Sequence, residues 1–276
     1  MYDYHTHHCR CGHAEGTIRD YIQSAIEKGA RQVGISDHSP IYHLSDDPHV
    51  LPKTAMAWGE LPKYVEEATR LKSEYQGRIA VRLGIESDYV LGWDDHYRKL
   101  WKRYDLDYVL CSVHWIDDWN IFHGELPKGH TRESMFELYL ESTIAAAESG
   151  VYDVIAHFDA IKTSGHMPPL SKFKARIRAA LEAIAAADMA IELNTSGWRK
   201  SCNEQYPSRY VLTQAHQCGI PVVLGSDAHE PNLVTAGFDR ALALLHDIGF
   251  DHIATFENRK RAMVPIEEAI RECTAS

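Results

Sequence analysis

Tyr2-Asp3-Tyr4-His5 and Gln32-Val33-Gly34-Ile35-Ser36 read as two short strands, and the segment between them reads as a helix. Thr17 with Asp20 three residues on has the form of a capping box, and Ile18, Tyr21, Ile22, Ala25 and Ile26 recur at helical spacing until Gly29 stops the pattern. Strand, helix and strand in this order form a crossover unit, the connection that parallel strands require.

Outward from this unit the alternation continues. Strands are expected at Tyr2 to His5, Gln32 to Ser36, Ile79 to Ile85, Tyr108 to Val113, Val154 to Ala156, Ala190 to Leu193 and Val222 to Leu224. Further helices are expected from Ser134 to Glu148 behind Thr131, from Ser171 to Ala187 and from Phe238 to Asp247. Seven such units predict an α/β fold and favour a closed or nearly closed barrel over an open sheet. A doubly wound sheet is the alternative, but no glycine-rich phosphate loop follows the first strand. The stretch from Ser39 to Leu61, with Pro40, Pro48 and Pro52, reads as a long loop, either a lid or a surface insertion.

The composition suits such a fold. The chain has 276 residues, 45% hydrophobic and 25% charged, which excludes a disordered or low-complexity protein. The length allows one barrel or two small domains. Lys+Arg 29 against Asp+Glu 39 gives a net charge of −10, which argues against a nucleic-acid backbone as partner. No apolar run reaches the roughly 18 residues of a membrane span, and the opening lacks a signal-peptide pattern. Six scattered cysteines suit reduced thiols, so a cytoplasmic chain is expected.

The 17 histidines need a separate explanation. In α/β barrels reactive residues gather where strands end. The first strand runs into His5-Thr6-His7, whose alternate residues share a face, and His13 follows. Later strands end in Asp37-His38, Glu86-Ser87-Asp88, Val113-His114, Ala156-His157 and Ser226-Asp227-Ala228-His229. Seven histidines and the carboxylates of Glu86 and Asp227 thus fall at one rim, too many for one ion. Imidazole with carboxylate suits zinc, iron or manganese, and two or three divalent ions fit the donor count.

In order along the chain these motifs, from Asp-x-His-x-His through Ser-Asp-His, Gly-Ile-Glu-Ser-Asp-Tyr, Ser-Val-His, Ala-His-Phe-Asp and Glu-Leu-Asn-Thr-Ser-Gly-Trp-Arg to Gly-Ser-Asp-Ala-His, resemble the PHP (polymerase and histidinol phosphatase) superfamily. The resemblance covers essentially the whole chain and is strongest to the monofunctional histidinol-phosphatase branch. It implies a distorted (βα)7 TIM-like barrel with a metal site at the C-terminal ends of the strands, one domain over residues 1–276. It also implies that His5, His7, Glu86 and Asp227 hold a first ion. By the same resemblance Glu86, His114 and His157 hold a second ion, and His13, His38 and His229 hold a third. Asp3 and Asp37 resemble carboxylates that orient neighbouring imidazoles.

The activity so implied is hydrolysis of L-histidinol phosphate, a small phosphomonoester, to L-histidinol and phosphate by metal-activated hydroxide. Glu86, Asp227 and His229 then belong to the catalytic group. Arg199 matches a family arginine that clamps phosphate, and Lys162 stands where many relatives carry a second arginine. His43 and His123 fall in candidate substrate loops. The alternatives are a relative acting on another phosphomonoester or nucleotide, an amidohydrolase-type hydrolase, and a non-catalytic metal-binding module. Neither a nucleic-acid nor a membrane partner is expected, and the sequence leaves the oligomeric state open.

Overall fold

The computed structural model of the protein describes residues 1–43, 54–122 and 124–273, with side chains as far as Ala269. In chain order the first elements are β1 (Tyr2–Asp3), α1 (Ile18–Glu27), β2 (Gln32–Ile35), α2 (Glu60–Glu74), β3 (Ala80–Leu83), β4 (Glu86–Asp88), α3 (Asp94–Trp101) and β5 (Leu110–Ser112). There follow β6 (Trp115–Ile116), β7 (Trp119–Asn120), α4 (Arg132–Glu148), β8 (Val154–Ile155), α5 (Lys174–Ala186), β9 (Ala190–Asn194), α6 (Arg209–Gln217) and β10 (Val222–Gly225). The chain closes with α7 (Phe238–Ile248), β11 (His252–Glu257), β12 (Lys260–Pro265) and α8 (Ile266–Cys273). Much of the expected 39–61 loop, and all of His123, lies outside the described residues.

The fold is α/β, with parallel strands and helices packed on them. One sheet runs β1-β2-β3 and the other β10-β9-β8-β5-β4, every pairing in both being parallel. The sheets meet at two seams. At one, the Tyr4 N–H donates to the Leu224 carbonyl at 2.9 Å and the His7 N–H to the Ala228 carbonyl at 2.9 Å. At the other, the Glu86 N–H donates to the Ser36 carbonyl at 3.1 Å, beside a bridge between His38 and Glu86.

The strand expected from Ile79 to Ile85 runs as β3 only to Leu83 and resumes as β4 at Glu86, beyond the expected end, each piece pairing with a different neighbour. The break has a local cause. Tyr64 hydroxyl sits 2.6 Å from the Gly84 carbonyl, so a side chain takes the acceptor that a strand would use. A Cβ at Gly84 or Gly34 would also run into the Tyr108 ring, whose hydroxyl donates to the Tyr4 carbonyl at 2.7 Å. Tyr4, Tyr64 and Tyr108 are buried and fill the space one layer below the strand ends that carry the histidines.

The helix starts follow the sequence. Thr17 and Asp20 form the capping box of α1, and Thr131 with Ser134 forms that of α4. Ile18, Tyr21, Ile22 and Ala25 of α1 are buried, each large apolar side chain contributing about 1.5–3 kcal/mol by leaving water. Among the described residues no helix is long and apolar enough to cross a membrane.

The antiparallel hairpin of β11 and β12 was not expected. Its two turn residues, Asn258 and Arg259, both have positive φ (51° and 62°), the conformation of a type I′ turn. It is pinned to the first strand, because the Phe256 N–H donates to the Tyr4 hydroxyl at 2.7 Å and that hydroxyl reaches Gln32 Oε1 at 2.8 Å.

Candidate metal centre

The nine expected donors converge at one end of the strands. Nε2 of His7 lies 3.2 Å from Asp227 Oδ1 and 3.5 Å from Glu86 Oε2, while Nε2 of His5 lies 3.4 Å from the same Glu86 oxygen. The other oxygen of Glu86 is 2.9 Å from His157 Nε2 and 3.6 Å from His114 Nε2. Glu86 thus stands between two sets of donors. Oε2 of Glu86 also lies 2.8 Å from Nδ1 of His38.

The third expected set is arranged less tightly. His13 and His229 approach Nε2 to Nε2 at 3.1 Å, and the His13 ring lies 5.1 Å from that of His38. Donor atoms of His7, His38 and His229 fall within 4.8 Å of one another, so His7 joins this group as well as the first.

Most of the imidazoles are held from behind. Nδ1 of His5 is 2.7 Å from Glu192 Oε1, Nδ1 of His7 is 3.2 Å from Asp37 Oδ1, and Nδ1 of His114 is 2.9 Å from Asp88 Oδ1. Backbone carbonyls take the same position for His229 (Asp227 O, 3.1 Å) and His13 (Cys11 O, 3.4 Å). A carboxylate or carbonyl at Nδ1 puts the ring proton there and leaves the Nε2 lone pair facing inward.

Burial and neighbours set the charge states. Burial pushes the carboxyls of Glu86 and Asp227 up, but the imidazoles around them, His38 and His5 foremost for Glu86 and His5 for Asp227, hold both well below the usual carboxylate range. Burial, reinforced by the neighbouring imidazoles, pushes His229 down to about 3 and His13 down to about 4. Both rings are therefore neutral donors near pH 7, as metal coordination requires.

The donors present fit a metal. Nε2 of His5 and of His7 are buried without a hydrogen-bond partner, a costly arrangement unless a cation faces them. His157 and Asp227 both sit at left-handed backbone positions (φ 26° and 50°), where functional residues concentrate.

Above the donors opens a cavity of about 340 Å³ whose walls include Phe122, Thr163, Lys200 and Tyr206. The side chains expected to hold phosphate do not line it. Arg199 Nη2 donates to the Ser226 carbonyl at 2.7 Å. Lys162 is almost buried between Asp159 (3.0 Å), Glu204 (2.8 Å) and the Gln205 carbonyl (2.6 Å), its charge already balanced. His43 packs beside Trp115, with ring centroids 5.9 Å apart, away from the cavity walls.

Asp3 departs from the sequence reading. Its oxygens accept backbone N–H groups of His5 (3.2 Å), Ser226 (3.0 Å) and Thr235 (2.8 Å), so it ties two strand ends together rather than orienting a ring. Asp37 has the role expected of it, and on its other side it takes Nδ1 of the buried His8 at 3.1 Å. Sequence reasoning gave no role to Glu192, Asp88, His8, Lys200 or Phe122. The signal for Glu192 was an acid inside an otherwise apolar strand, and for Asp88 its place two residues from Glu86, on the same strand face.

Residues 3–196 match the PHP domain family model. The chain is 35% identical to a probable histidinol-phosphatase of Deinococcus radiodurans, over 94% of this chain and 97% of that protein. It is 29% identical to a histidinol-phosphatase of Bacillus subtilis, over 87% of this chain and 97% of the relative. The solved histidinol phosphate phosphatase of Lactococcus lactis, complexed with zinc, L-histidinol and phosphate, has the same fold with a TM-score of 0.81 at 23% identity, over 95% of this chain and 98% of that one. With a family model covering most of its length and a strand-end cluster of histidines in the family's order, the chain belongs to the PHP domain family.

Proposed function

We propose that this protein is a metal-dependent phosphomonoesterase that hydrolyses L-histidinol phosphate to L-histidinol and phosphate. The observation that carries the reading is Glu86, whose two oxygens face separate groups of imidazoles at the floor of a cavity large enough for a small ester. The names of the relatives, with coverage near the full length of both chains, supply the substrate.

Two or three divalent ions, zinc, iron or manganese, fit the donor set. His5, His7, Glu86 and Asp227 would hold one, Glu86, His114 and His157 a second, and His13, His38 and His229 a third. Bound ions supply Lewis acidity toward phosphate oxygens and bring the pKa of water from 15.7 toward ~7. The protein's own part is orientation. Glu192, Asp37 and Asp88 fix the tautomers of His5, His7 and His114, and burial keeps bulk water from these contacts. Phe122, 47% exposed at the cavity wall and 5.4 Å from the His114 ring, offers a face for the substrate's imidazole.

With β3 and β4 counted as one interrupted strand, the two sheets read as one distorted seven-stranded barrel forming a single domain, a reading supported by the backbone hydrogen bonds at both seams. Cys9, Cys11, Cys111, Cys202 and Cys218 are unpaired, which suits the cytoplasm. The test is phosphate release from L-histidinol phosphate and from unrelated phosphomonoesters, with metal-loaded and chelated protein. Metal-dependent preference for L-histidinol phosphate is expected. Equal or faster turnover of an unrelated ester would sink the substrate assignment.

A further inference from the structure

We propose that Asn194 is a positioning residue of the metal centre, whose side-chain amide fixes Asp227 so that one carboxylate oxygen faces the ion and the other is held back. The proposal rests on the reading of the strand-end cluster as a metal site.

Three hydrogen bonds define the amide. Oδ1 of Asn194 accepts the Ser196 N–H at 2.9 Å, while Nδ2 donates to Glu192 Oε2 at 3.1 Å and to Asp227 Oδ2 at 3.3 Å. The neighbours dictate this orientation. Turned over, the amide would set its oxygen against two carboxylate oxygens and its NH2 against an N–H.

The backbone leaves the side chain little freedom. Asn194 ends β9, on the same strand face as Glu192 two residues earlier. Its N–H and carbonyl are both bonded to Tyr206, at 2.6 and 2.9 Å, and it lies opposite Gly225 of β10. A Cβ at Gly225 would run into Glu192 Oε1, so the glycine makes room for the carboxylate that the amide holds. The Asn194 side chain is buried and does not line the cavity.

What is held is the direction of Asp227. Its Oδ2 takes the amide and also the Ser196 hydroxyl at 2.9 Å, which leaves Oδ1 toward Nε2 of His7 at 3.2 Å and of His5 at 3.9 Å. The same NH2 steadies Glu192, whose oxygens hold His5 Nδ1 and the His157 N–H. One amide therefore meets the supports of three donors. Without it, Asp227 is free to turn its second oxygen inward and to chelate an ion with both, which raises the coordination number.

The test loads metal-free wild type, Asn194→Ala and Asn194→Thr with cobalt(II). Affinity is read by competition with a chelator, and coordination geometry by the visible absorption band, which weakens as the coordination number rises. We expect both variants to bind cobalt about 10- to 100-fold more weakly than wild type and to show a weaker band per bound ion. Threonine restores most of the volume that alanine removes and suits a strand, but its one hydroxyl proton cannot serve both carboxylates. It should therefore recover the Tm of the chelated protein and not the affinity. In turnover kcat should fall while KM stays near that of wild type, since Asn194 lies outside the cavity wall. Affinity and band of Asn194→Thr within twofold of wild type would overturn the proposal and leave packing as the role of the residue. Weaker binding with an unchanged band would overturn it as well, and where one variant does not fold the other gives the same two readings. A wild-type protein that takes up no cobalt would overturn the metal reading itself.

Discussion

Nδ1 of His5 lies 2.7 Å from Oε1 of Glu192, and both side chains are completely buried. The second oxygen of Glu192 accepts the backbone N–H of His157 at 2.8 Å, so one carboxylate of β9 holds one ring and the backbone of another. Glu192→Gln keeps the shape but removes the anion behind His5. Metal affinity should fall about 10- to 100-fold, with the far-ultraviolet circular dichroism unchanged. Competitive metal titration checks this, and wild-type affinity would leave Glu192 as a packing residue.

Glu86 is the donor that two groups of imidazoles share. Glu86→Gln should reduce kcat at least about 100-fold and lower the metal retained after gel filtration. A fully loaded, fully active variant would remove the shared role.

Metal removal should reach beyond activity. Ions that bind the folded chain stabilise it, by about 2.7 kcal/mol at a hundred times Kd for one site. For a chain of this size that corresponds to a rise in Tm of roughly 5–10 °C when metal is returned to chelated protein. Differential scanning calorimetry with and without chelator reads it directly, and an unchanged Tm would contradict the buried-donor argument.

Phe122→Ala should raise KM for L-histidinol phosphate several-fold more than for a phosphomonoester without an aromatic ring, since stacking contributes about 0.5–1.5 kcal/mol. Equal effects on both esters would show that Phe122 shapes the cavity without reading the ring.

At the start of α1 the Asp20 carboxyl accepts the Thr17 N–H and the Thr17 hydroxyl, each at 2.7 Å, and both bonds hold it below its ordinary value, the second being lost in Thr17→Ala. A carboxyl lowered in the folded state contributes stability above its unfolded pKa of about 3.9, and that contribution is lost as pH falls through the folded value. Thr17→Ala should therefore cost about 1 kcal/mol at pH 7, and less as the solution is taken into the acid range. Urea denaturation at several pH values measures the difference, and a constant gap would assign the loss to the bond the hydroxyl accepts from the Asp20 N–H.

Elements with strong local signals were legible in the sequence. The parallel strands and the capped starts of α1 and α4 follow from apolar periodicity and from Thr17 and Thr131, which act within a few residues. The candidate metal donors were legible because most of them follow a strand end in the sequence. What escaped depended on distant partners. The division of β3 from β4 depends on Tyr64 and Tyr108, far along the chain from Gly84 or packed from another strand. Arg199 and Lys162 match the family pattern in position, but their bonds to Ser226, Asp159 and Glu204 are tertiary facts that no motif carries. The β11–β12 hairpin turns on Asn258-Arg259 rather than an Asn-Gly pair, so its turn signal was weak.

The layer of Tyr4, Tyr64 and Tyr108 beneath the histidines has a consequence for traffic. With these rings packed beneath the site, ligands are expected to enter and leave on the side of the exposed Phe122 and Lys200. With phosphate held at the metal side of the cavity, the alcohol fragment is expected to leave first and phosphate to follow. Inorganic phosphate should then compete with substrate for the empty enzyme, whereas L-histidinol should inhibit without competing, a kinetic order imposed by three tyrosine rings that touch neither product.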